Sequence, residues 1–203
     1  MTSLLSCALF GARVGIGIAD SSDRATLVLE LATATAGLVA FVWLLLFYFW
    51  ARGAIRVRVL ARRFPDAVFL DVVVNYVLAN DLQLLNRDLG VEPRRIWSNG
   101  YITVATTRDQ MIFHSGTWRP RVLCAIPAEV IAGLDIDTID FPTRTMVRHF
   151  PAIVVKPTVW AKGANFGMLP MRTTLMIPRK LTAIQLRHAL DDVAARLGVS
   201  PEG

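Results

Sequence analysis

The chain has 203 residues, more than half of them hydrophobic, and a formal net charge of +6. That length accommodates one membrane segment and one domain of ordinary size. The sequence has no zinc-ligand spacing, no helix-turn-helix pattern and no aromatic signature of RNA-binding domains, so the positive charge does not point to nucleic acid. We expect no nucleic-acid partner.

Residues 1–24 are predicted to form an outer tail. The first twelve contain no Lys or Arg, whereas a cleaved signal peptide begins with a positive segment. The apolar stretch from Leu4 to Ala19 is interrupted by Arg13 and by glycines, and it is too short for a second span.

Residues 25–51 are predicted to cross a membrane as a helix. The 21 residues from Leu31 to Ala51 carry no charge, and at about 1.5 Å per residue they cover roughly 31 Å, the thickness of a hydrocarbon core. A core helix of a soluble protein usually keeps a polar face, and none is present after Gly37, so that alternative is disfavoured.

Small residues repeat along one side of this segment, at Ala32, Ala36 and Ala40, with Gly37 beside them. Small side chains let two helix backbones approach closely, and such packing associates helices in lipid. The pattern predicts self-association or packing on a membrane-protein partner. The alternative is that these residues simply face lipid.

Charge predicts the orientation of the chain. Residues 1–50 carry two basic and three acidic groups, whereas five arginines follow the predicted span: Arg52, Arg56, Arg58, Arg62 and Arg63. Because basic flanks stay in the cytoplasm, we expect a single-pass plasma-membrane protein with its N-terminus outside and its C-terminal domain cytoplasmic. Residues 52–65 are interpreted as an Arg-rich juxtamembrane connector whose five arginines contact lipid headgroups.

Residues 66–198 are predicted to form the domain. A strand over residues 68–74 precedes a short helix that is capped by Asn80 and closed by Gly90. Alternating patterns then predict strands over residues 101–106, 111–114, 122–126, 130–136, 146–155, 158–160 and 173–177. Short strands at this spacing favour an antiparallel meander in a small barrel or sandwich.

The C-terminal helix has the clearest local signals. Thr182 and Gln185 form a capping box, and Gly198 stands where a helix ends. Its apolar face consists of Leu186, Leu190, Val193 and Leu197. A single apolar stripe has to be buried, so we expect this helix to close the meander. The predicted fold class is α+β: one transmembrane helix, then a small antiparallel β-barrel or sandwich closed by an amphipathic helix.

Strands followed by one C-terminal amphipathic helix resemble a pleckstrin-homology-like (PH-like) domain. Residues 100–113 (GYITVATTRDQMIF) resemble the first hairpin of bacterial PH-like and GRAM-like domains, and residues 126–131 (IPAEVI) resemble the start of their fourth strand. The resemblance covers residues 95–198, and residues 66–90 would be an N-terminal strand–helix addition. It implies a binding module, although Arg108 alone stands where eukaryotic members hold inositol phospholipids with several basic residues.

Two loops place a large aromatic residue beside a cation. Their candidate contact residues are Trp118, Arg119 and Arg121 in the first loop and Trp160, Lys162 and Phe166 in the second. This combination suits a membrane interface or a protein partner. The alternative is that each tryptophan folds back onto the barrel.

Other candidate chemistry has simpler interpretations. Asp135, Asp137 and Asp140 offer oxygen ligands for Mg²⁺ or Ca²⁺, but a solvated strand face explains them as well. Cys124 alternates with apolar residues and is predicted to lie in the core, and the three histidines lack partners at metal spacing. No phosphate-binding loop, dinucleotide motif or hydrolase elbow is present. We expect no metal site, no cofactor and no enzymatic activity.

The leading functional hypothesis is a membrane-tethered, non-enzymatic PH-like module. It would bind a partner protein or a lipid headgroup at the inner membrane face. The alternative is an accessory subunit or assembly factor of a larger membrane complex for transport or export, in which the span makes the contact. A lipid-acting enzyme is the third possibility.

Overall fold

The computed structural model describes residues 24–92, 96, 100–142, 146–158, 165–174 and 177–200. Within these residues the chain is α+β, with a long apolar helix near the N-terminus and an antiparallel sheet of eight strands. Residue contacts divide the chain into two compact units, Met1–Tyr48 and Phe49–Gly203. The predicted outer tail lies outside the described residues up to residue 23.

Helix α1 covers Arg24–Arg63. Among the described residues, it is the one helix long and apolar enough to span a membrane, and none of its most apolar window is buried. The hydroxyls of Thr33 and Thr35 donate to the carbonyls of Leu29 and Leu31, which satisfies both donors within the helix. Its length and composition are those of a membrane-spanning helix.

The predicted connector is not a separate segment. It continues α1 up to Arg63, and it lies in the second compact unit. Arg56 and Leu60 are buried and Phe64 is half-buried, so one side of the helix faces the sheet at a spacing of four residues. The other four connector arginines are exposed: Arg52, Arg58, Arg62 and Arg63. The folded unit therefore begins at Phe49, before the predicted boundary at residue 66.

The sheet consists of β1 (Val68–Val74), β2 (Gly100–Thr106), β3 (Gln110–Ser115), β4 (Arg121–Pro127), β5 (Ile131–Pro142), β6 (Val147–Pro157), β7 (Phe166–Thr174) and β8 (Ile177–Lys180). Their order is β4-β3-β2-β1-β7-β6-β5, with β8 also paired to β7. Two meanders, β2 to β4 and β5 to β7, are joined through β1. This strand pairs with β2 along its whole length but with β7 only from Asp71 to Val73.

Three features of the sheet differ from the sequence expectation. The strands form an open path that ends at β4 and β5, and closure into a barrel is not seen among the described residues. Strand β1, expected in an N-terminal addition, lies in the middle of the sheet. Strand β7 begins at Phe166, seven residues before the predicted strand at Thr173. The predicted strand 158–160 is described only at Thr158, which follows β6.

Helix α2 covers Tyr76–Asp88, so the predicted cap at Asn80 is wrong. The cap is Asn75, whose Oδ1 accepts from the backbone N–H of Leu78 at 2.8 Å. Because Asn75 directly follows β1, the helix starts without a connecting loop. Gly90 follows the helix at a φ of +69°, as its predicted role in ending the helix requires.

Helix α3, Ala183–Leu197, has both predicted caps. Thr182 and Gln185 exchange the two bonds of a capping box, and Gly198 adopts a φ of +70°. Helices α2 and α3 pack on one face of the sheet and share one core with it. The fully buried aliphatic residues of that core include Leu82, Leu85, Leu134, Leu186 and Leu190. Burial of each such side chain contributes about 1.5–3 kcal/mol.

Candidate membrane-proximal site

A buried ion pair joins α1 to the second face of the sheet. The Arg56 side chain is 6% exposed, and its Nη2 lies 3.5 Å from Asp71 Oδ1. Arg56 Nε donates to Thr103 Oγ1 at 2.6 Å, and the Thr103 hydroxyl donates to Asp71 Oδ1 at 2.6 Å. Asp71 and Thr103 are cross-strand neighbours of β1 and β2, so one strand pairing presents both groups to one guanidinium.

The same arginine fixes the loop between β3 and β4. Arg56 Nη1 donates to the carbonyl oxygens of Tyr101 at 3.0 Å and of Gly116 at 3.2 Å. Gly116 has a φ of +86°, and a Cβ there would lie 3.0 Å from the carbonyl oxygen of Arg119, so this turn requires glycine. One helical turn earlier, Arg52 Nε donates to Thr117 Oγ1 at 3.0 Å. Two arginines of α1 thus position the loop.

Arg56 is a structural cation. Burial lowers its pKa and Asp71 raises it, and a guanidinium stays protonated throughout the physiological range. Its donors are directed to the carboxylate, a hydroxyl and two carbonyls inside the domain. Arg56 therefore makes its contacts inside the domain, against its prediction as a lipid contact, and four connector arginines remain as candidates for that role.

The β3–β4 loop displays an aromatic residue among cations. Trp118 is 74% exposed, so the alternative in which it folds back onto the sheet is wrong. Arg119 and Arg121 are exposed as well, and Thr117 links this loop to Arg52. We call Arg52, Trp118, Arg119 and Arg121 the cationic rim. An amphipathic indole beside guanidinium groups suits the water–lipid interface.

The second predicted loop is different. Trp160 and Lys162 lie outside the described residues, and Phe166 is in β7, 1% exposed, with its ring centroid 6.1 Å from that of Phe113. The prediction of Phe166 as a partner or membrane contact is therefore wrong. Gly167 made this stretch look like a loop in the sequence. In the structure a Cβ at position 167 would collide with the side chain of Ile139, so the close approach of Ile139 requires a glycine within the strand.

His114, one of the three histidines without a partner at metal spacing in the sequence, lies beside the C-terminal end of α1. It is fully buried, its ring centroid is 6.0 Å from that of Phe64, and neither ring nitrogen has a hydrogen-bond partner among the described residues. Burial, followed by the charges of Arg63 and Arg56, lowers its pKa to about 4. His114 is therefore neutral at neutral pH.

We expect His114→Leu to stabilise the protein at pH 7 and to weaken its acid sensitivity. An unpaired buried polar group costs about 1–3 kcal/mol, and leucine removes it. The unfolded chain binds a proton at a pKa of about 6.5 and the folded chain at about 4, so His114 makes the fold lose stability as pH falls through that window. Melting temperatures between pH 4 and 7.5 measure this.

The control for that experiment is His188→Leu, since His188 is exposed on α3. The control variant should keep the slope of stability against pH that the unmodified chain shows. An unchanged slope in His114→Leu would contradict the role assigned to this histidine.

The remaining candidates have structural partners. Asp135 Oδ2 lies 3.6 Å from Lys156 Nζ, and Asp140 Oδ1 lies 2.8 Å from His149 Nδ1. No group of three potential metal ligands comes together in the part of the chain that the structure describes. Cys124 is in the core as predicted, and burial raises its pKa to about 12. This thiol is therefore unreactive.

The small-residue face of α1 stays a prediction. Ala32, Ala36, Gly37 and Ala40 are all exposed in the single chain, and a Cβ on Gly37 would meet no atom within 4 Å. The face is thus open to lipid or to another helix.

Comparison with known proteins gives no relative: no protein-family model, no curated protein and no solved structure matches this chain. What the site binds has to follow from its own side chains. Those are the exposed cationic rim, the exposed connector arginines and the buried pair that holds α1 to the sheet.

Proposed function

We propose that this chain is a membrane-tethered, non-enzymatic module that engages anionic lipid headgroups at the cytoplasmic face of the membrane through its cationic rim. The observation that carries the proposal is the pair of bonds from α1 to the β3–β4 loop, Arg52 to Thr117 and Arg56 to Gly116. They bring an exposed tryptophan and two exposed arginines beside the residues that directly follow the apolar run.

The distances along the helix favour a headgroup contact. Arg52 directly follows Ala51, the last residue of the uncharged run, and Arg56 lies five residues beyond Ala51, about 8 Å along the helix axis. If residues 31–51 fill the hydrocarbon core, a loop bonded to Arg52 is at the depth of the headgroups. Tryptophan is enriched at that depth, and each basic residue there contributes about 1 kcal/mol on an anionic surface.

A PH-like fold of the second unit is part of this proposal. Two antiparallel meanders and a C-terminal amphipathic helix that packs on their core support it. The cytoplasmic placement is supported by the exposed arginines Arg58, Arg62 and Arg63 on the C-terminal side of the apolar run.

We expect a fragment of residues 49–203, which is the whole second unit, to bind vesicles that contain anionic lipid and to be released by salt. Exposed charges are screened over about 10 Å at 0.1 M salt, so an electrostatic contact weakens as salt rises. Replacing Arg119 and Arg121 together with Gln should lower the affinity by roughly tenfold or more, at about 1 kcal/mol for each lost charge. Co-sedimentation with vesicles of defined charge measures both effects.

Arg108→Gln is the matched control, because Arg108 is an exposed arginine in the β2–β3 turn, at the other end of β2 from Tyr101. The control should bind anionic vesicles nearly as the parent fragment does. Equal binding to neutral and anionic vesicles, or equal losses in the control and the double variant, would refute the headgroup contact.

We propose as a second candidate an accessory subunit of a larger membrane complex, supported by the exposed small-residue face of α1. Purification of the full chain in mild detergent distinguishes the two. A multi-span protein that co-purifies with the chain, and is lost in Gly37→Leu, would favour this candidate.

A further inference from the structure

Two arginines face each other across the pairing of β7 with β8. Arg172 and Arg179 are directly opposed partners in this antiparallel pair, and both side chains are exposed. Opposed residues project from the same face of a sheet, with their Cβ atoms about 4.5–5.5 Å apart. The two guanidinium groups therefore share one small region of the surface, and like charges in this arrangement destabilise the pairing of the strands.

No carboxylate of the fold relieves this repulsion. In the part of the chain that the structure describes, neither Arg172 nor Arg179 forms an ion pair with a carboxylate. Lys180, the next residue of β8, is directed elsewhere, because its Nζ lies 3.5 Å from the centroid of the Phe150 ring. The opposed arginines thus form a pair of positive charges that an external anion would neutralise.

The Arg172 side chain lines a cleft of about 850 Å³ within the second unit. The volume of the cleft is within the range of small-molecule and cofactor sites, about 300–1,000 Å³. Its lining is of mixed polarity. Asp71 contributes a carboxylate, but the buried guanidinium of Arg56, 3.5 Å away, already neutralises it. A ligand of this cleft is therefore expected to carry polar groups, among them an anion for Arg172.

Helix α3 supplies further polar groups to the cleft. Gln185, His188 and Asp192 line it at intervals of three and four residues, so they lie along one side of the helix. The Gln185 side chain is held in place by the capping box, in which its Oε1 accepts from the backbone N–H of Thr182 at 3.1 Å. An amide, an imidazole and a carboxylate bind hydroxyl or amine groups. This wall therefore suits a polar organic molecule and does not suit a hydrocarbon chain.

The arginine pair favours phosphate over carboxylate. A guanidinium donates two parallel hydrogen bonds to one anion, so two opposed arginines together offer more donors than the two oxygens of a carboxylate can accept in that way. A phosphate monoester has a third terminal oxygen and a charge of about −1.5 to −2 at neutral pH. Its charge and its acceptors match those of two guanidinium groups.

We propose that Arg172 and Arg179 bind the phosphate group of a small, soluble phosphate monoester, whose hydroxyl- or amine-bearing part lies in the cleft against α3. The site contains no residue of the cationic rim, and the inference does not depend on the lipid contact proposed above. A lipid with a phosphate monoester headgroup presents the same anion, so the experiment has to compare the two sources.

The test is calorimetric titration of the full chain in an uncharged detergent at constant ionic strength. The probes are inorganic phosphate, glycerol 3-phosphate, ribose 5-phosphate and adenosine 5′-monophosphate, with dihexanoyl phosphatidic acid as the lipid source. We expect at least one soluble monoester to bind about tenfold more tightly than inorganic phosphate, because its organic part contacts the cleft. The same molecules without phosphate should bind at least about tenfold more weakly than their monoesters.

Arg179→Glu separates a binding role from a structural one. An acidic residue opposite Arg172 replaces a repulsive cross-strand pair with an attractive one, so the melting temperature of the unliganded chain should rise by roughly 2 °C. The same substitution should weaken phosphate binding about a hundredfold, because it removes one cation and places a negative charge beside the other. A stabilised variant that loses the ligand is the expected result.

The neutral double variant Arg172→Gln with Arg179→Gln should weaken binding by at least about tenfold. Its matched control is Arg108→Gln with Arg187→Gln, since both of these arginines are exposed, neither lines the cleft, and the loss of charge is the same. The control should bind each monoester within about twofold of the parent chain.

Absence of binding by every phosphate probe, or equal weakening in the two double variants, would overturn the inference. A lower melting temperature in unliganded Arg179→Glu would also overturn it, because the arginines would then serve the fold. Equal affinity for inorganic phosphate and all the monoesters would overturn the role of the cleft. Tighter binding of dihexanoyl phosphatidic acid than of any soluble monoester would overturn the soluble source.

Discussion

Replacing Arg56 with Met is expected to lower the free energy of unfolding by about 3–5 kcal/mol. The substitution leaves the carboxylate of Asp71, which is mostly buried, without the guanidinium that neutralises its charge. It also removes the donors to Thr103, Tyr101 and Gly116. Denaturant or thermal unfolding of the full chain in detergent measures the loss.

Two further variants separate the ion pair from simple packing. Arg56→Met combined with Asp71→Val removes both charges, and this should recover much of the stability, since replacing a whole buried pair is far less costly than breaking it. Arg58→Met is the matched control on the exposed side of α1, where a change within about 0.5 kcal/mol is expected. Equal effects of Arg56→Met and Arg58→Met would show that Arg56 is not a structural cation.

Phe166→Ala is expected to destabilise the protein by about 3–5 kcal/mol, the cost of emptying a buried aromatic site. Phe166 is 1% exposed and contacts Phe113 edge to face, so both the apolar burial and the ring contact are lost. Trp118→Ala truncates a larger ring that is 74% exposed and should change stability by no more than about 0.5 kcal/mol. Unfolding measured for both variants under one condition gives the comparison.

The comparison decides between two interpretations of these aromatic residues. If both substitutions had the same small effect, Phe166 would be a loop residue, as its glycine-containing surroundings indicated. If Trp118→Ala were the more harmful, the exposed position of the β3–β4 loop would be contradicted.

The sequence predicted correctly those elements whose boundaries are set by residues close together in the chain. The α3 helix was predicted from its capping box and its apolar stripe, because both are set by residues three or four positions apart. The start of α2 was misplaced, because Asn75 and Asn80 are equally good caps in isolation and only the end of β1 selects the first. Strand order and the central place of β1 depend on pairings between distant residues, which periodicity does not encode.

The site was predicted only in part for a related reason. A basic flank indicates lipid contact, and four of its five arginines are exposed. Arg56 is an exception because it falls on the same side of α1 as Leu60 and Phe64, and its partners Asp71 and Thr103 come from strands far along the chain. The four-residue spacing of Arg56, Leu60 and Phe64 was the available signal that this side is buried.

The depth of Trp118 in the membrane tests the central claim most directly. A nitroxide on Trp118→Cys, in the full chain with Cys7→Ser and reconstituted in vesicles, reports collisions with oxygen, which concentrates in lipid, and with a water-soluble nickel complex. The reference is a nitroxide on Arg108→Cys at the far end of β2, roughly 20 Å away at about 3.3 Å per residue. Shielding from nickel at position 118, together with free access at position 108, is the predicted result. Equal access of nickel to both positions would contradict a β3–β4 loop that contacts the membrane.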